Sequence, residues 1–433
     1  MNRLGQGVIA SGVRSGGWAV AALSLLLSAC GGGDGTTGLA AGNASVASSS
    51  GGGGATGTQS LALRALPAIY QTSATQAVNY SPYRAGGPGV ETPSVANIQQ
   101  DLGLLSAAGY TLIRLFGADT VSESVLQVAA ANYPSLKFHQ GIYLAGIAPT
   151  SQATCSNSAN DTQVQTGIRL AQTYTNVVAV SVGNETGFFS QYMPINCLAG
   201  YITTTKHAVT QPVTADDDYR FYAGLQPNKP DTILPLLDFV SLHTYPLSNQ
   251  GAWTGSVPTT GTNTQRASAL MQGALANAQS TFAAATAYIA AHGGAGLPVI
   301  IGETGWKATP TNPYITASTG CAAANAAGSG NPLEGQGTCT NGVIATTTTR
   351  AATQDNAHWY FDLINGWSTG GASTAPRIVF HFEAFDESWK GIDDGWGFWD
   401  KNRAPRQLLC SLSGVASTVS SCPASGTYPN AAF

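Results

Sequence analysis

Two glutamates stand where apolar runs end. In Pro298-Val-Ile-Ile-Gly-Glu-Thr-Gly-Trp306, three β-branched residues run into a glycine and then into Glu303. In Val177-Val-Ala-Val-Ser-Val-Gly-Asn-Glu185 the same sequence of types recurs. A Val/Ile run bounded by Pro or Gly is the pattern of a strand buried on both faces. A carboxylate at its end is either a local cap or strand-end contact, or a group presented to a cleft. Two carboxylates on facing walls of one cleft suit glycoside hydrolysis. One is neutral and protonates the departing oxygen, while the other is ionised and attacks or activates water. A separation of about 5 Å gives retention and about 6.5–9.5 Å gives inversion.

Such groups need a scaffold, and the chain supplies a repeating beat of strand and helix. Short buried-type runs occur at 76–80, 111–116, 137–144, 177–184, 211–215, 239–245, 298–302 and 377–382. Helical periodicity lies between several of them, at 95–108, 121–131, 162–174 and 266–291. Eight strands alternating with helices predict α/β architecture, a single (β/α)8 TIM barrel, rather than an open sheet. No Gly-x-Gly-x-x-Gly follows the first strand, against a dinucleotide fold. Long loops are expected after strand six (246–264) and strand seven (308–350), the latter at the active-site face.

In such a barrel the strand ends converge on one face. The polar and aromatic residues placed there are Tyr80, Arg114, Asn184, Glu185, His243, Tyr245, Glu303, Trp306, Glu383, Asp386, Glu387, Trp389 and Lys390. Tyr80, Tyr245, Trp306 and Trp389 are candidates to stack on sugar faces or to form an ordinary apolar rim. The run Asp216-Asp-Asp218 reads as a solvated turn with one member lining the cleft, and no metal site or cofactor is expected.

The 433 residues carry only 9% charged side chains and a net charge of -4, with no basic stripe, so nucleic acid is not an expected partner. Arg3 and Arg14 precede the apolar run 19–27, which ends in Leu27-Ser-Ala-Cys30. This resembles the lipobox of bacterial lipoproteins, which implies cleavage before Cys30 and its acylation; an ordinary cleaved signal peptide is the alternative. The resemblance, with Gly31 next, points to the outer membrane. Residues 1–29 are thus read as a signal peptide, 30–65 as an acylated cysteine and Gly/Ser linker, and 66–433 as the barrel. Of the seven cysteines, the six beyond Cys30 are expected to form disulfides after export. Sequential pairing, 155–197, 321–339 and 410–422, closes the most local loops, out of fifteen connectivities.

Three segments together carry a family resemblance. Ser181-Val-Gly-Asn-Glu185, Ile301-Gly-Glu-Thr-Gly-Trp306 and Phe382-Glu-Ala-Phe-Asp-Glu-Ser-Trp-Lys390 resemble glycoside hydrolase family 17, the β-1,3-glucanase and glucanosyltransferase family, over most of residues 75–407. The resemblance implies a retaining barrel enzyme with Glu185 as acid/base and Glu303 as nucleophile. It makes Glu387 and Lys390 the family's additional pair. Trp389 fits the bacterial and fungal form, with Ser388 in place of the usual proline. On that basis Asn184 is expected to bond the sugar 2-hydroxyl, Tyr245 to donate to Glu303, and Arg114 to hold the nucleophile ionised. His243 is expected to touch substrate.

The reading is a retaining hydrolase of β-1,3-glucan, with β-1,3-glucan transglycosylation as the alternative. A non-catalytic glucan-binding lipoprotein and a β-1,4-glucanase or mannanase on the same barrel rank lower. The presence of both glutamates opposes the first of these, and the strand-eight segment opposes the second. A monomer held to the membrane by its lipid alone, with a β-glucan as partner, completes the expectation.

Overall fold

A computed structural model of the chain describes residues 62–72, 75–147, 155–187, 193–247, 257–309, 338–340, 343–345 and 351–433. The signal peptide, Cys30, the linker up to residue 61 and the Cys321–Cys339 pairing lie outside the described residues, as do most of the long loops expected after strands six and seven.

Eight strands close into a barrel. They are β1 (Gln76–Asn79), β2 (Tyr110–Leu115), β3 (Lys137–Ile142), β4 (Val177–Asn184), β5 (Val213–Asp218), β6 (Val240–His243), β7 (Val299–Thr304) and, after a hairpin of β8 (Thr338–Thr340) and β9 (Val343–Ala345), β10 (Val379–His381). Every neighbouring pair around the ring is parallel, and β10 closes it between β7 and β1. The helices are α1 (Val95–Ala107), α2 (Thr120–Asn132), α3 (Ser158–Thr173), α4 (Ile195–Ala208), the single turn α5 (Tyr219–Tyr222), α6 (Asn263–Ala291) and α7 (Gln354–Thr369). Their starts are written locally. Ser94, Asp119, Asn157 and Thr353 each accept a backbone N–H of the first turn, and Thr262 with Gln265 forms a reciprocal capping box on α6.

The period-2 alternation of the strands decides what each face sees. One face of the strands packs outward on the helices, as with Ile113, Val180 and Ile301. The other face fills the barrel in layers. Ala77, Leu112, Ala179, Phe239, Ile300 and Phe380 form the lowest layer, closed from below by Leu66 and Tyr70 of the segment before β1. Two residues further along, the same faces carry Asn79, Arg114, Ser181, Ser241 and Gly302. The barrel therefore turns from apolar to polar in one step, and the polar layer is the floor of the site.

Two details differ from expectation, while the two disulfides within the described residues are the expected ones. Helices α4 and α7 were not anticipated, because Thr and Asn dilute their apolar spacing. β5 runs through Asp218, so Asp216, Asp217 and Asp218 are strand residues and all are buried. They are not a solvated turn because each has a partner: Asp216 the Arg114 guanidinium, Asp217 the Gly187 and Asp218 N–H groups, and Asp218 the Arg220 side chain. Disulfides join Cys155 to Cys197 and Cys410 to Cys422. The second of these pins a C-terminal tail whose Tyr428 stacks on Trp359 of α7 at 4.6 Å.

Candidate active site

Arg114 organises the mouth of the barrel. It lies mid-barrel on β2 and is fully buried. Its Nε donates to Asp216 Oδ2 at 2.7 Å, its Nη1 to Asn79 Oδ1 at 2.9 Å and Glu303 Oε1 at 2.6 Å, and its Nη2 to Asn184 Oδ1 at 2.6 Å. One rigid planar fork thus fixes groups from β1, β4, β5 and β7. A point charge could not satisfy four acceptors in these directions.

The two glutamates meet above it. Glu303 sits on β7 with only 7% of its side chain exposed, whereas Glu185, just past β4, has 31% exposed. Glu185 takes a left-handed backbone (φ 54°), and its N–H donates to Asp216 O at 2.8 Å. A non-glycine residue held there is disfavoured by roughly 1–2 kcal/mol, so the surrounding structure enforces it. One carboxylate oxygen of each glutamate and a ring nitrogen of His243 lie within 4.8 Å of one another. Tyr245 Oη donates to Glu303 Oε2 at 2.6 Å. His243 lies beneath both acids, with Nδ1 3.1 Å from Glu185 Oε1 and Nε2 3.7 Å from Glu303 Oε1.

The environment drives the two acids apart. Burial raises the Glu185 carboxyl above its ordinary value, and the Glu303 and Asp218 charges add to it, against His243. Burial also acts to raise Glu303, but His243, Arg114 and the Tyr245 hydroxyl outweigh it and hold Glu303 low. Burial disfavours a charged imidazole, yet the two carboxylates push His243 up to about 9. The two acids are pushed in opposite directions, Glu185 toward its protonated form and Glu303 toward its ionised form, the division that glycoside hydrolysis uses. The trio is close enough to hold a cation, but Arg114 and Tyr245 already donate to both Glu303 oxygens.

One wall comes from the segment after β10. Lys390 Nζ pairs with Glu387 Oε2 and, at 3.2 Å, with Glu383 Oε2, and sits over the rings of Phe382 and Phe116 at 4.5 and 5.7 Å. Trp389 Nε1 donates to Glu387 Oε1 at 3.2 Å, and its ring lies on Gly87, where a side chain would meet it at 2.6 Å. Burial raises Glu383 well above the glutamate range. At Glu387 burial is outweighed by Lys390, and the carboxyl is lowered.

Of the residues expected at the cleft, Arg114, Asn184, Glu185, His243, Tyr245 and Glu303 come together, with Glu387, Trp389 and Lys390 on the wall. Tyr80, Trp306 and Asp386 do not, and Asp386 is buried in a pair with Arg406. Tyr80 is buried and donates to Asp101 Oδ2 at 3.2 Å, because it falls on the outward parity after β1. Its inward neighbour Asn79 is the residue that reaches the site. Trp306 is buried against Tyr360 and donates to Ala351 O at 2.8 Å. His243 is fully buried and touches the acids from beneath, with no surface left for substrate. Asn79 and Phe116 went unnoticed in the sequence. Counting two residues on from Ala77, or on from Arg114, finds them.

Comparison with known proteins agrees with this arrangement. Residues 77–327 match the family described as the BtgE/BtgC glycoside hydrolase domain, a span that includes both glutamates and ends before β10. No curated protein sequence matches the chain. Among solved structures, an endo-laminarinase from Formosa is similar with a TM-score of 0.63 and 19% identity, covering 83% of this chain and 92% of that one. A glycoside hydrolase family 17 β-1,3-glucanosyltransferase from Rhizomucor miehei is similar with a TM-score of 0.51 and 16% identity, covering 77% and 95%. At such identities the likeness is one of fold.

Proposed function

Because the chain belongs to the BtgE/BtgC glycoside hydrolase domain family, we propose that it is a retaining glycosidase of β-1,3-glucan, of the family 17 type. The observation that carries this reading is the pair Glu185 and Glu303, with oxygens within 4.8 Å and environments that push their proton affinities in opposite directions. The close approach of one oxygen from each acid favours the shorter, retaining arrangement, in which a carboxylate attacks directly. Glu303 attacks the anomeric carbon as Glu185 gives its proton to the glycosidic oxygen, and the bond between that carbon and oxygen breaks. The ester then formed neutralises Glu303. Glu185, now ionised, takes a proton from water, which attacks the same carbon and releases Glu303. If a sugar hydroxyl takes the place of water, the outcome is transfer.

Arg114 and Tyr245 keep Glu303 ionised and aimed. Asn184, with its oxygen engaged by Arg114, has its amide N–H groups left for a sugar hydroxyl. Trp389 and Lys390 offer a ring face and a donor on the wall, and the buried Glu387 holds both in place through its two oxygens. The test is a product profile of protein lacking residues 1–30 on reducing-end-labelled laminari-oligosaccharides, beside Glu303→Gln. Shorter sugars only, absent in the variant, mark a hydrolase. Additional longer sugars mark a transglycosylase. Cutting of cello- or manno-oligosaccharides alone contradicts the linkage. The same proposal includes acylation of Cys30, supported by Leu27-Ser-Ala-Cys30, and palmitate labelling that survives Cys30→Ser would contradict it.

A further inference from the structure

Among the described residues, the large apolar side chains left well exposed are Leu63, Val90, Val95, Tyr143 and Leu225, and Tyr143, 49% exposed, is the aromatic one. Its position is not that of a random surface residue. It directly follows β3, whose His139 packs against Tyr70, Phe239 and Phe380 inside the barrel. Ile142 faces the other way, toward Gly167 of α3. Alternation returns Tyr143 to the inward parity of His139, one step above the last hydrogen-bonded pair, so its ring stands on the mouth.

β3 pairs with β4 in the register Ile142 to Val182, which sets Tyr143 beside Gly183, two residues before Glu185. Tyr143 thus lies beside the strand whose end carries Glu185. On its β2 side the neighbour is Gly117, where a built side-chain carbon would lie 3.6 Å from Tyr143 Cβ, so the rim next to the ring is low. Beyond Gly117 comes Phe116, set edge-on to Phe382 at 6.3 Å. Aromatic surface thus continues from the wall after β10 to the flank of Glu185.

Glu185 must touch the oxygen of the departing group, so the rings that leave pass along its flank, away from the Trp389 wall. The geometry points to Tyr143 as a stacking platform for a glucosyl ring on the leaving-group side of the cleft, the side that also receives an acceptor sugar. This rests on the glycosidase reading above and adds a binding residue to it. An exposed phenol on the rim of a sugar site offers a flat face at little conformational cost.

The test compares wild type, Tyr143→Ala and Tyr143→Phe on laminaripentaose and on an aryl β-laminaribioside, whose leaving group is not a sugar. The expected result is a drop of about tenfold in kcat/KM for Tyr143→Ala on the pentaose, the size of one good aromatic contact. Tyr143→Phe stays near wild type, and all three are alike on the aryl substrate. Where transfer products form, Tyr143→Ala lowers their share. Equal rates on the pentaose, or an equal loss on both substrates, overturn the assignment. A loss in Tyr143→Phe matching that in Tyr143→Ala also overturns stacking, since the hydroxyl then carries the effect. Wild type that cuts the aryl substrate but not the pentaose contradicts a leaving-side glucosyl site alone. Wild type that cuts neither contradicts the glycosidase reading and this inference together.

Discussion

Replacing Arg114 with methionine removes the one cation that both Asp216 and Glu303 bond directly. Methionine fills much of the same space, so the perturbation is chiefly electrostatic. Two buried carboxylates lose hydrogen bonds of 2.7 and 2.6 Å, and Asn79 and Asn184 lose their donors. Breaking a buried pair from one side costs about 3–5 kcal/mol. With an unfolding entropy of about 2 cal/mol/K per residue, a domain of this length melts roughly 4–7 °C lower. The chemical effect has a direction of its own. Without the guanidinium, only His243 and Tyr245 remain to offset burial at Glu303, so its proton affinity rises and the acid limb of kcat/KM moves to higher pH. Arg114→Lys keeps a charge but not the fork, and misplacement of the nucleophile by about 1 Å is expected to lower kcat about 100-fold. Thermal melts and pH–rate profiles on laminari-oligosaccharides read both effects. A methionine variant that melts with wild type and keeps its acid limb would refute the role of Arg114 as the hub.

Three other expectations come from the same geometry. Glu185→Gln is expected to lose at least about 1,000-fold in kcat/KM on glucan, yet far less in kcat/KM on an aryl glycoside whose leaving group needs no proton; equal losses would contradict its role as the acid. The wild-type kcat/KM profile is bell-shaped. Glu303 is held below the ordinary glutamate value of about 4.5, so activity persists as the pH falls past it, while Glu185 is held above, so activity is lost only at a higher pH. Both limbs below 4.5, or both above it, would contradict the assignment. Removing the Cys155–Cys197 disulfide, which spans 42 residues, is expected to destabilise by about 4 kcal/mol in the loop-entropy account, seen as a lower melting temperature under oxidising conditions.

Much of this was legible because strand patterning is local. The Val/Ile runs before Asn184 and Glu303 marked buried strands, and anything polar at their ends had to face the mouth. What the sequence could not show is parity at short or irregular strands. Gln76–Asn79 is too short to reveal which side Tyr80 takes, and the tyrosine turned outward to Asp101 while Asn79 turned in. The Asp216–Asp218 run misled for another reason. Three adjacent acids look solvated until their partners are known, and those partners, Arg114, Gly187 and Arg220, come in part from distant strands and loops. His243 had its place correct and its role misjudged, since only the fold reveals that it lies beneath the acids and not beside the substrate. Phe116 carried no motif, and its meaning comes from Lys390 and Phe382 across the cleft.

The central claim is that Glu303 attacks carbon directly, with no water between it and the sugar. Proton NMR of the product at early times, on a laminari-oligosaccharide cut by the protein, reads the configuration of the new reducing end before mutarotation. The β anomer is the expected first product. An α anomer appearing first would mean that water attacks the carbon directly with a carboxylate as base, and the nucleophile assignment would fall.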